Sequence, residues 1–576
     1  MTEVRTLFTD PKTVAIEGEH GTWLVSGVAT NRIRDLVVNA DGLRAVRDEL
    51  AAQVEDAIVV FVSATDDGGR LAAFRSVTSS RDVFYLEASD GTIVLTDHYR
   101  NAVSQLDPAD RTVDRNAVVD HLLFGSPVEP STFVVEIGRL GRGECMHWNG
   151  VDREWTRTLV DRLDTVERYG PREAVDELDD ALGNVVRVGV RPDARTMLSG
   201  GVDSTLLASY RRDSPRPVQV TVDAPEFQPG VDAGRDAAVL LDASRDVVSL
   251  SETAFLDYLE STVDALGLPP RYKQTVLVSA GLQSLDPGQY VDGQGADPLF
   301  GLPGVKAARI ADWTAPLLES SVVSRAADAA PGDLTDVYEA LATRRRQLAR
   351  SVENPESFAQ TLAADVDPDA VAKIFDPQVV RDRTRRRVEY AADRAPLDAD
   401  STFARQAATG HLAEFLSHDA ANRRRQLGFG RGQDVVAPFR TRRVARTAVA
   451  VPPDRRYVQG LRSVGALSSK YIPKTLLSRR LPEFSGPRET GDSSVPGERY
   501  LTDGPLQSAV DRYDPPAFLT PASYERHVQS DGSLTWELLT YSVWRDRVLR
   551  EPDLGLVPGT ERRYLRLPME PAPPPT

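Results

Sequence analysis

The sequence predicts an α/β protein whose C-terminal part folds around a parallel sheet and whose N-terminal part is a separate α+β unit. Three observations support this prediction. Strands and helices alternate between residues 195 and 250, as in nucleotide-binding α/β folds. A glycine-rich loop at residues 199–204 joins the first of these strands to a helix. Residues 1–160 instead carry short runs typical of strands in a β-rich domain.

The N-terminal strands are predicted from runs that are rich in β-branched and aromatic residues. These runs are Trp23–Val28, Ala57–Val62, Val83–Leu86 and Thr92–Thr96. They predict one domain over residues 1–160, which contains some helix as well. A longer and more helical domain is predicted over residues 170–560. The proline-rich residues 561–576 are predicted to form a disordered tail.

The C-terminal domain begins its sheet at Arg195–Leu198, and a helix follows near Ser204. A second strand is predicted at Pro217–Asp223, a helix over Gly234–Leu241 and a third strand at Asp246–Leu250. Because such alternation produces parallel strands, we expect the ligand at the carboxyl ends of these strands.

The loop between the first strand and its helix reads Ser199, Gly200, Gly201, Val202, Asp203 and Ser204. Free backbone N–H groups at a helix N-terminus attract anions, and glycines let a phosphate approach the backbone closely. Asp203 would repel a bare phosphate, so its presence indicates Mg²⁺ between the two. A Gly-Gly turn that only caps a helix is the alternative.

A second motif covers residues 290–301 and reads Tyr-Val-Asp-Gly-Gln-Gly-Ala-Asp-Pro-Leu-Phe-Gly. Its Asp297 would join Asp203 as a hard oxygen ligand of Mg²⁺, and Gly293 lies in the same turn. A solvated acid in a glycine-rich turn is the alternative. A third segment, residues 432–441, reads Gly-Gln-Asp-Val-Val-Ala-Pro-Phe-Arg-Thr and contains Asp434.

These motifs together resemble those of asparagine synthetases, and β-lactam synthetases carry a looser version of the second. The resemblance implies an ATP pyrophosphatase domain of the adenine-nucleotide α-hydrolase type, preceded by an Ntn-amidotransferase-like domain. It also implies that the protein binds ATP and Mg²⁺, with the metal on Asp203 and Asp297. The nucleotide-binding residues that it implies are Leu198, Ser199, Gly200, Gly201, Asp203, Ser204, Val222 and Gly293. For Leu198 and Val222, plain core packing is the alternative.

The residues of the amide-forming step depart from the family pattern. Asp434 maps onto a glutamate of asparagine synthetases and could orient or deprotonate the attacking amine, unless it is a solvated loop acid. Asparagine synthetases also carry a lysine after a Leu-Pro pair, in an Arg-x-Lys-x-x-Phe context, but residues 481–488 contain none. Lys470 and Lys474 lie just upstream and are the candidate replacements. The alternative cations are Arg479, Arg480 and Arg488.

The N-terminal domain resembles the amidotransferase domain of asparagine synthetases but lacks its nucleophile. Glutamine hydrolysis in that family needs a cysteine at the mature N-terminus, whose α-amino group acts as the base. Here Thr2 follows Met1, and the single cysteine, Cys145, is internal and predicted to pack in the core. We therefore expect no glutaminase activity, a loss that β-lactam synthetases share.

The composition indicates an acidic, soluble protein. The net charge is −16, and six of the 69 basic residues are lysine, which is typical of a halophilic cytoplasm; a high-GC genome is the alternative explanation. Such a charge argues against a nucleic-acid partner, so Arg385–Arg387 and Arg423–Arg425 are interpreted as salt-bridging or anion-facing clusters. A single cysteine excludes a disulfide scaffold. Without a membrane-length apolar run or a signal-peptide pattern, we expect a cytoplasmic protein.

The resulting expectation is an ATP-dependent ligase with a small-molecule carboxylate and ammonia or an amine as substrates, and a homodimer as its candidate assembly. Aspartate is the default carboxylate by resemblance alone. Gln294 and Pro298 stand where asparagine synthetases carry glutamates, which favours a different substrate. A β-lactam-synthetase-like ligase is therefore the second hypothesis, and an ATP-binding scaffold without turnover is the third.

Overall fold

The computed structural model describes most of the chain. The described residues are 4–28, 30–63, 70–149, 154–163, 168–211, 216–301, 368–395, 412–417, 420–452, 470–484, 495–529 and 534–549, with single positions between 320 and 366. The predicted tail at residues 561–576, Thr2 and Arg488 lie outside these residues.

Two sheets form the N-terminal part, and the strands predicted there are present in them. One sheet has the order β1-β7-β6-β8 and the other the order β10-β9-β5-β4-β3-β2. The strands are β1 Val4–Leu7, β2 Val14–Gly18, β3 Gly21–Gly27, β4 Ala57–Ser63, β5 Arg70–Arg75, β6 Phe84–Glu87, β7 Ile93–Thr96, β8 Gly138–Arg139, β9 Glu144–Asn149 and β10 Glu154–Leu159.

The N-terminal part is built in layers, because each face of the two sheets packs against a different neighbour. On β4, Ile58 and Val60 belong to a core that also contains Ile93 and Leu95 of the other sheet. Their neighbour Val59 packs instead with side chains of the helices Thr30–Val37 and Leu43–Gln53. The helices Tyr99–Val103 and Arg115–Phe124 cover the far face of the smaller sheet. Alternating burial along a strand is what its two-residue period requires.

A five-stranded parallel sheet with the order β13-β12-β11-β14-β15 forms the centre of the C-terminal part. Its strands are β11 Arg195–Met197, β12 Pro217–Val222, β13 Asp246–Leu250, β14 Gly288–Val291 and β15 Gln433–Val436. The strand order reverses between β11 and β14, and such a switch point leaves a crevice at the carboxyl ends of the strands. The predicted α/β class with a parallel sheet is therefore confirmed.

Helices surround this sheet and continue to the end of the described chain. They are Pro171–Gly189, Val202–Ser209, Gln228–Leu240, Phe255–Leu266, Lys273–Gln283, Ala296–Phe300, Pro368–Val371, Pro377–Arg394, Ala420–Phe429, Arg442–Ala450, Tyr471–Arg480, Gly497–Thr502, Gln507–Arg512, Pro521–Gln529 and Thr535–Trp544. Within the described ranges, none of the helices has both the length and the apolar character that a membrane crossing requires.

Buried polar contacts join the N-terminal part to the C-terminal part. The Arg425 guanidinium lies 3.0 Å from Asp10 Oδ2 and 2.9 Å from Asp434 Oδ1. The Tyr390 hydroxyl donates to Glu129 at 2.6 Å. Because buried charges are stable only when they are paired, these contacts fix how the two parts pack.

Cys145 lies on β9 and is 1% exposed, which agrees with its predicted place in the core. Its Sγ is 3.4 Å from His147 Nε2. Burial raises the pKa of the Cys145 thiol to about 12. A thiol in this environment is not a ready nucleophile, because the thiolate is the reactive form.

Candidate nucleotide and metal site

A cavity of about 350 Å³ opens at the carboxyl ends of β11 and β14, where the strand order reverses. Its wall contains Ser199, Gly201, Asp203 and Ser204 from the loop that follows β11. The segment 292–298, which follows β14, forms the facing wall. The two predicted motifs, which are far apart in the sequence, therefore meet in one cavity.

The loop after β11 depends on glycine. Gly200 has φ +81, and a Cβ at this position would lie 2.3 Å from the carbonyl carbon of Ala233. Gly201 is the N-cap of the helix Val202–Ser209, and its N–H donates to Ser199 Oγ at 3.3 Å. The hydroxyls of Ser199 and Ser204 are 3.1 Å apart. The loop thus presents a helix N-terminus and the exposed Ser199 hydroxyl to the cavity, which suits a phosphate.

Asp203 and Asp297 converge on one cation, Lys470. Lys470 Nζ lies 2.6 Å from Asp203 Oδ2 and 2.7 Å from Asp297 Oδ1. Burial raises the pKa of Asp203, and the neighbouring Asp297 acts in the same direction. Burial would lower the pKa of Lys470, but the two carboxylates raise it above its usual value. The ammonium is therefore charged, and it joins the two acids that the sequence predicts as metal ligands.

The same two acids fit a magnesium ion. Asp203 Oδ1 is buried and accepts no hydrogen bond from the described residues. No cluster of three or more metal-ligating side chains occurs in the described part of the chain, so phosphate and water oxygens would have to complete the shell. This arrangement is common for Mg²⁺, which is usually held by one or two carboxylates together with substrate phosphates.

The wall after β14 carries a charged pair that the sequence indicated only in part. Arg424 Nη1 lies 2.9 Å from Asp292 Oδ1 and 2.8 Å from Asp292 Oδ2. The Gln294 side chain is assigned with its amide oxygen toward Arg424, where this oxygen accepts from Nη2 at 3.0 Å and from Nη1 at 3.2 Å. Gly293 lies between them, and a Cβ there would lie 3.2 Å from Asp203 Cβ. The sequence predicted that the cluster Arg423–Arg425 forms salt bridges or faces an anion, and Arg424 does form such a salt bridge. It did not predict that Arg424 lines this cavity.

The apolar part of the cavity contains one of the two residues predicted to flank the adenine. Leu198 lies in the wall, whereas Val222 is buried in the core and does not line the cavity. The other apolar wall residues are Met197, Val218, Val220, Phe227, Leu277 and Val278, none of which the sequence analysis selected. The strand register decides which residues of β11 and β12 reach this wall, whereas Phe227, Leu277 and Val278 come from helical segments.

Asp434 lies outside the cavity, on β15, with its side chain in a buried polar cluster. Its Oδ2 accepts from Gln289 Nε2 at 2.6 Å and lies 2.9 Å from Lys12 Nζ. Burial would raise the pKa of Asp434, but the charges of Arg425 and Lys12 lower it. The structure therefore does not bring Asp434 together with Asp203 and Asp297.

The remaining candidate cations differ in position. Lys474 lies one helical turn after Lys470, and its charge acts on Asp203. Arg480 pairs with Asp179 at 3.0 Å, and Arg479 pairs with Asp176. Both arginines thus face the helix Pro171–Gly189, whereas Lys470 contacts the two acids directly.

A comparison with models of protein families identifies the family of this chain. The asparagine synthase family model matches residues 176–544, which includes the loop after β11, the segment after β14 and Lys470. A search of curated proteins returns no match.

Proposed function

Since the chain belongs to the asparagine synthase family, whose members are ATP-dependent amide ligases, we propose that it activates a carboxylate as an acyl adenylate. A carboxylate oxygen attacks the α-phosphorus of ATP, the bond between the α and β phosphates breaks, and pyrophosphate leaves. The nitrogen of ammonia or of an amine then attacks the acyl carbon, which forms the amide, and AMP leaves.

The polyphosphate is proposed to lie against the loop Ser199–Ser204. The N-terminus of the helix Val202–Ser209 and the hydroxyls of Ser199 and Ser204, which line the cavity, favour an anion there. Asp203 and Asp297 would hold Mg²⁺, which when bound supplies positive charge to the leaving pyrophosphate. The apolar wall that contains Leu198 suits the adenine ring.

The observation that supports this proposal most strongly is the position of Lys470. Its ammonium contacts the two carboxylates at the switch point of the sheet, so a cation is held in the cavity where the reacting groups would meet. Preorganised charge of this kind is an effective way to stabilise a transition state. Asparagine synthetases carry a lysine after a Leu-Pro pair, and residues 481–488 of this chain contain none. We propose that Lys470 takes the role of that lysine.

We further propose that the nitrogen comes from free ammonia or from an amine, and not from glutamine hydrolysed within this chain. Cys145 is buried on β9, and its thiol is held in the protonated form. Buried ion pairs such as Arg425 with Asp10 lie between the N-terminal part and the parallel sheet. These features suit a structural role for the N-terminal part.

A second candidate function is a ligase for a specialised substrate, as in β-lactam synthetases. Gln294 and Arg424 support it, because they place an amide and a guanidinium in the cavity wall. Arg424 is paired with Asp292, but its Nε has no partner among the described residues. Since a guanidinium recognises carboxylates well, this wall suits an amino-acid-like substrate with an additional carboxylate. Aspartate also carries a second carboxylate, so it remains a candidate substrate.

The test is isotope exchange between pyrophosphate and ATP with a panel of candidate carboxylates in high salt. We expect exchange that depends on one carboxylate and on Mg²⁺, and its loss in Asp203→Asn and in Asp297→Asn. Glu226→Gln is the matched control, because Glu226 pairs with Arg499 outside the cavity. A lack of exchange with every acid would favour the non-catalytic scaffold, and near-normal exchange in either aspartate variant would contradict the proposed metal site.

A further inference from the structure

A second cavity, of about 360 Å³, lies between the N-terminal part and the helices of the C-terminal part. It shares no lining residue with the nucleotide cavity. Arg100 contributes to it from the helix Tyr99–Val103, Asp264 from Phe255–Leu266, and Gln283 from Lys273–Gln283. The space is large enough for a small metabolite.

The charge balance of this cavity is positive, although the whole chain carries −16. Two guanidinium groups, from Arg100 and Arg431, belong to its wall. The only wall carboxylate among the described residues, Asp264, is paired with Arg547, whose Nε lies 2.8 Å from Asp264 Oδ1. A basic concavity on an acidic protein concentrates small anions.

The two arginines retain hydrogen-bonding capacity. Arg100 donates through Nη1 to the backbone oxygen of Asp264, while its Nε is buried and has no partner among the described residues. The exposed Arg431 side chain makes no hydrogen bond or ion pair with any residue that the structure describes. An anion that entered the cavity could therefore be bound without breaking an existing ion pair.

Neutral polar groups complete the wall. Gln426 is 4% exposed; its Nε2 donates to Asp82 Oδ2 at 3.0 Å, but its buried Oε1 accepts from none of the described groups. An unsatisfied buried oxygen of this kind favours a ligand that brings a donor. The hydroxyls of Ser261 and Ser279 add further polar contacts.

We propose that this cavity binds a small organic anion that also carries a hydroxyl or amino donor. The anionic group, carboxylate or phosphate, would pair with Arg100 and Arg431, and the donor would face the polar wall near Gln426. The cavity is thus a second ligand site, separate from the one that binds ATP.

The same two helices line both cavities, which provides a physical route for coupling. The helix Lys273–Gln283 contributes Gln274 and Leu277 to the nucleotide cavity but Ser279 and Gln283 to the second one. The helix Ala420–Phe429 likewise contributes Arg424 to the first cavity and Gln426 to the second. A ligand that shifts either helix would change the affinity for nucleotide, and the change must be reciprocal.

The experiment is calorimetric titration of the full chain with L-malate, with glycerol 3-phosphate and with uncharged glycerol. The titrations are made at constant ionic strength and with the nucleotide cavity filled by α,β-methylene-ATP. We expect at least one of the two anions to bind and glycerol not to bind. Arg431→Gln should weaken binding about tenfold or more, because one charge-assisted contact is lost. Whichever anion binds more tightly identifies the preferred acidic group.

The matched control is Arg187→Gln, since Arg187 is a surface arginine on another helix, Pro171–Gly189. It should bind the anion as the native protein does. The proposal is wrong if neither anion binds, if glycerol binds equally well, or if Arg431→Gln binds like the native chain. Coupling is tested by titrating α,β-methylene-ATP with and without saturating anion, and an unchanged nucleotide affinity would rule it out.

Discussion

Lys470 contacts both Asp203 and Asp297, the two acids that are proposed to hold a divalent cation. We therefore expect the metal and the ammonium to compete for these two carboxylates. We predict that Lys470→Met increases the affinity for Mn²⁺ in the absence of nucleotide by about tenfold or more, because a hydrogen-bonded charge no longer has to be displaced. Electron paramagnetic resonance of free Mn²⁺ measures this without any turnover.

Lys474→Met serves as the control, because the charge of Lys474 acts on Asp203, whereas Lys470 also donates a hydrogen bond to it. Its effect on Mn²⁺ affinity should be much smaller. Equal affinities in the native chain and in Lys470→Met would show that the ammonium leaves the acids freely in solution.

The same pair of lysines allows a prediction about the second chemical step. If Lys470 stabilises the charge that develops during amide formation, Lys470→Met should lower the amide formed per pyrophosphate released by about a hundredfold. Lys474→Met should have the smaller effect, because Lys470 contacts both acids directly. Both products are quantified by chromatography in one reaction, and undiminished coupling in the double variant would assign this role to another residue.

At the scale of the element, the unit formed by β11, its loop and the helix Val202–Ser209 depends on the backbone of Gly200. The positive φ and the contact with Ala233 both oppose a side chain there. We predict that Gly200→Ala lowers the affinity for α,β-methylene-ATP by about tenfold or more, since backbone strain costs about 1–3 kcal/mol. Calorimetric titration measures the affinity, and circular dichroism checks the fold.

Gly230→Ala is the matched control in the neighbouring helix Gln228–Leu240. A Cβ at Gly230 would meet no atom within 4 Å. Alanine in a helix interior should stabilise the protein by up to about 1 kcal/mol and leave nucleotide affinity unchanged. Similar behaviour of the two variants would mean that the loop tolerates a side chain at Gly200.

The strand β9 allows a prediction about nitrogen chemistry. Because burial raises the pKa of Cys145 to about 12, iodoacetamide should modify it slowly at pH 8 and rapidly in denaturant. Glutamine should yield no glutamate with either the native chain or Cys145→Ala. Mass spectrometry measures the first result and an enzymatic glutamate assay the second. Glutamate release that Cys145→Ala abolishes would contradict the assignment of Cys145 to the core.

The elements show which parts of the site the sequence could predict. The loop Ser199–Ser204 could be predicted from the sequence, because its residues are contiguous and the helix N-terminus that it forms is a local feature. The contacts of Lys470 with Asp203 and Asp297 could not be predicted, because contacts between segments that are distant in the sequence depend on tertiary packing. Asp434 was selected for its motif, but the alternation of side chains along β15 directs it toward Lys12 and Gln289. Only the assembled sheet reveals which face of a short strand meets which neighbour.

At the scale of the whole molecule, ion pairs that are nearly inaccessible to solvent connect the two parts. Arg425 and Asp10 are each about 1% exposed, and Arg425 also contacts Asp434. Salt screens such pairs much less than it screens surface charges. We therefore expect the ion pairs between the two parts to remain formed at high salt concentration.

We predict that Arg425→Met destabilises the full chain by about 3–5 kcal/mol, because Asp10 and Asp434 lose a partner while they stay buried. Asp10→Asn combined with Arg425→Met should recover part of this loss, since one of the two carboxylates that Arg425 neutralises is then removed. Urea unfolding at constant salt measures both variants. Arg235→Gln, which breaks an exposed pair with Asp232, should leave the unfolding midpoint unchanged. If Arg425→Met unfolds at the native midpoint, the ion pairs do not hold the two parts together, and apolar packing must do so.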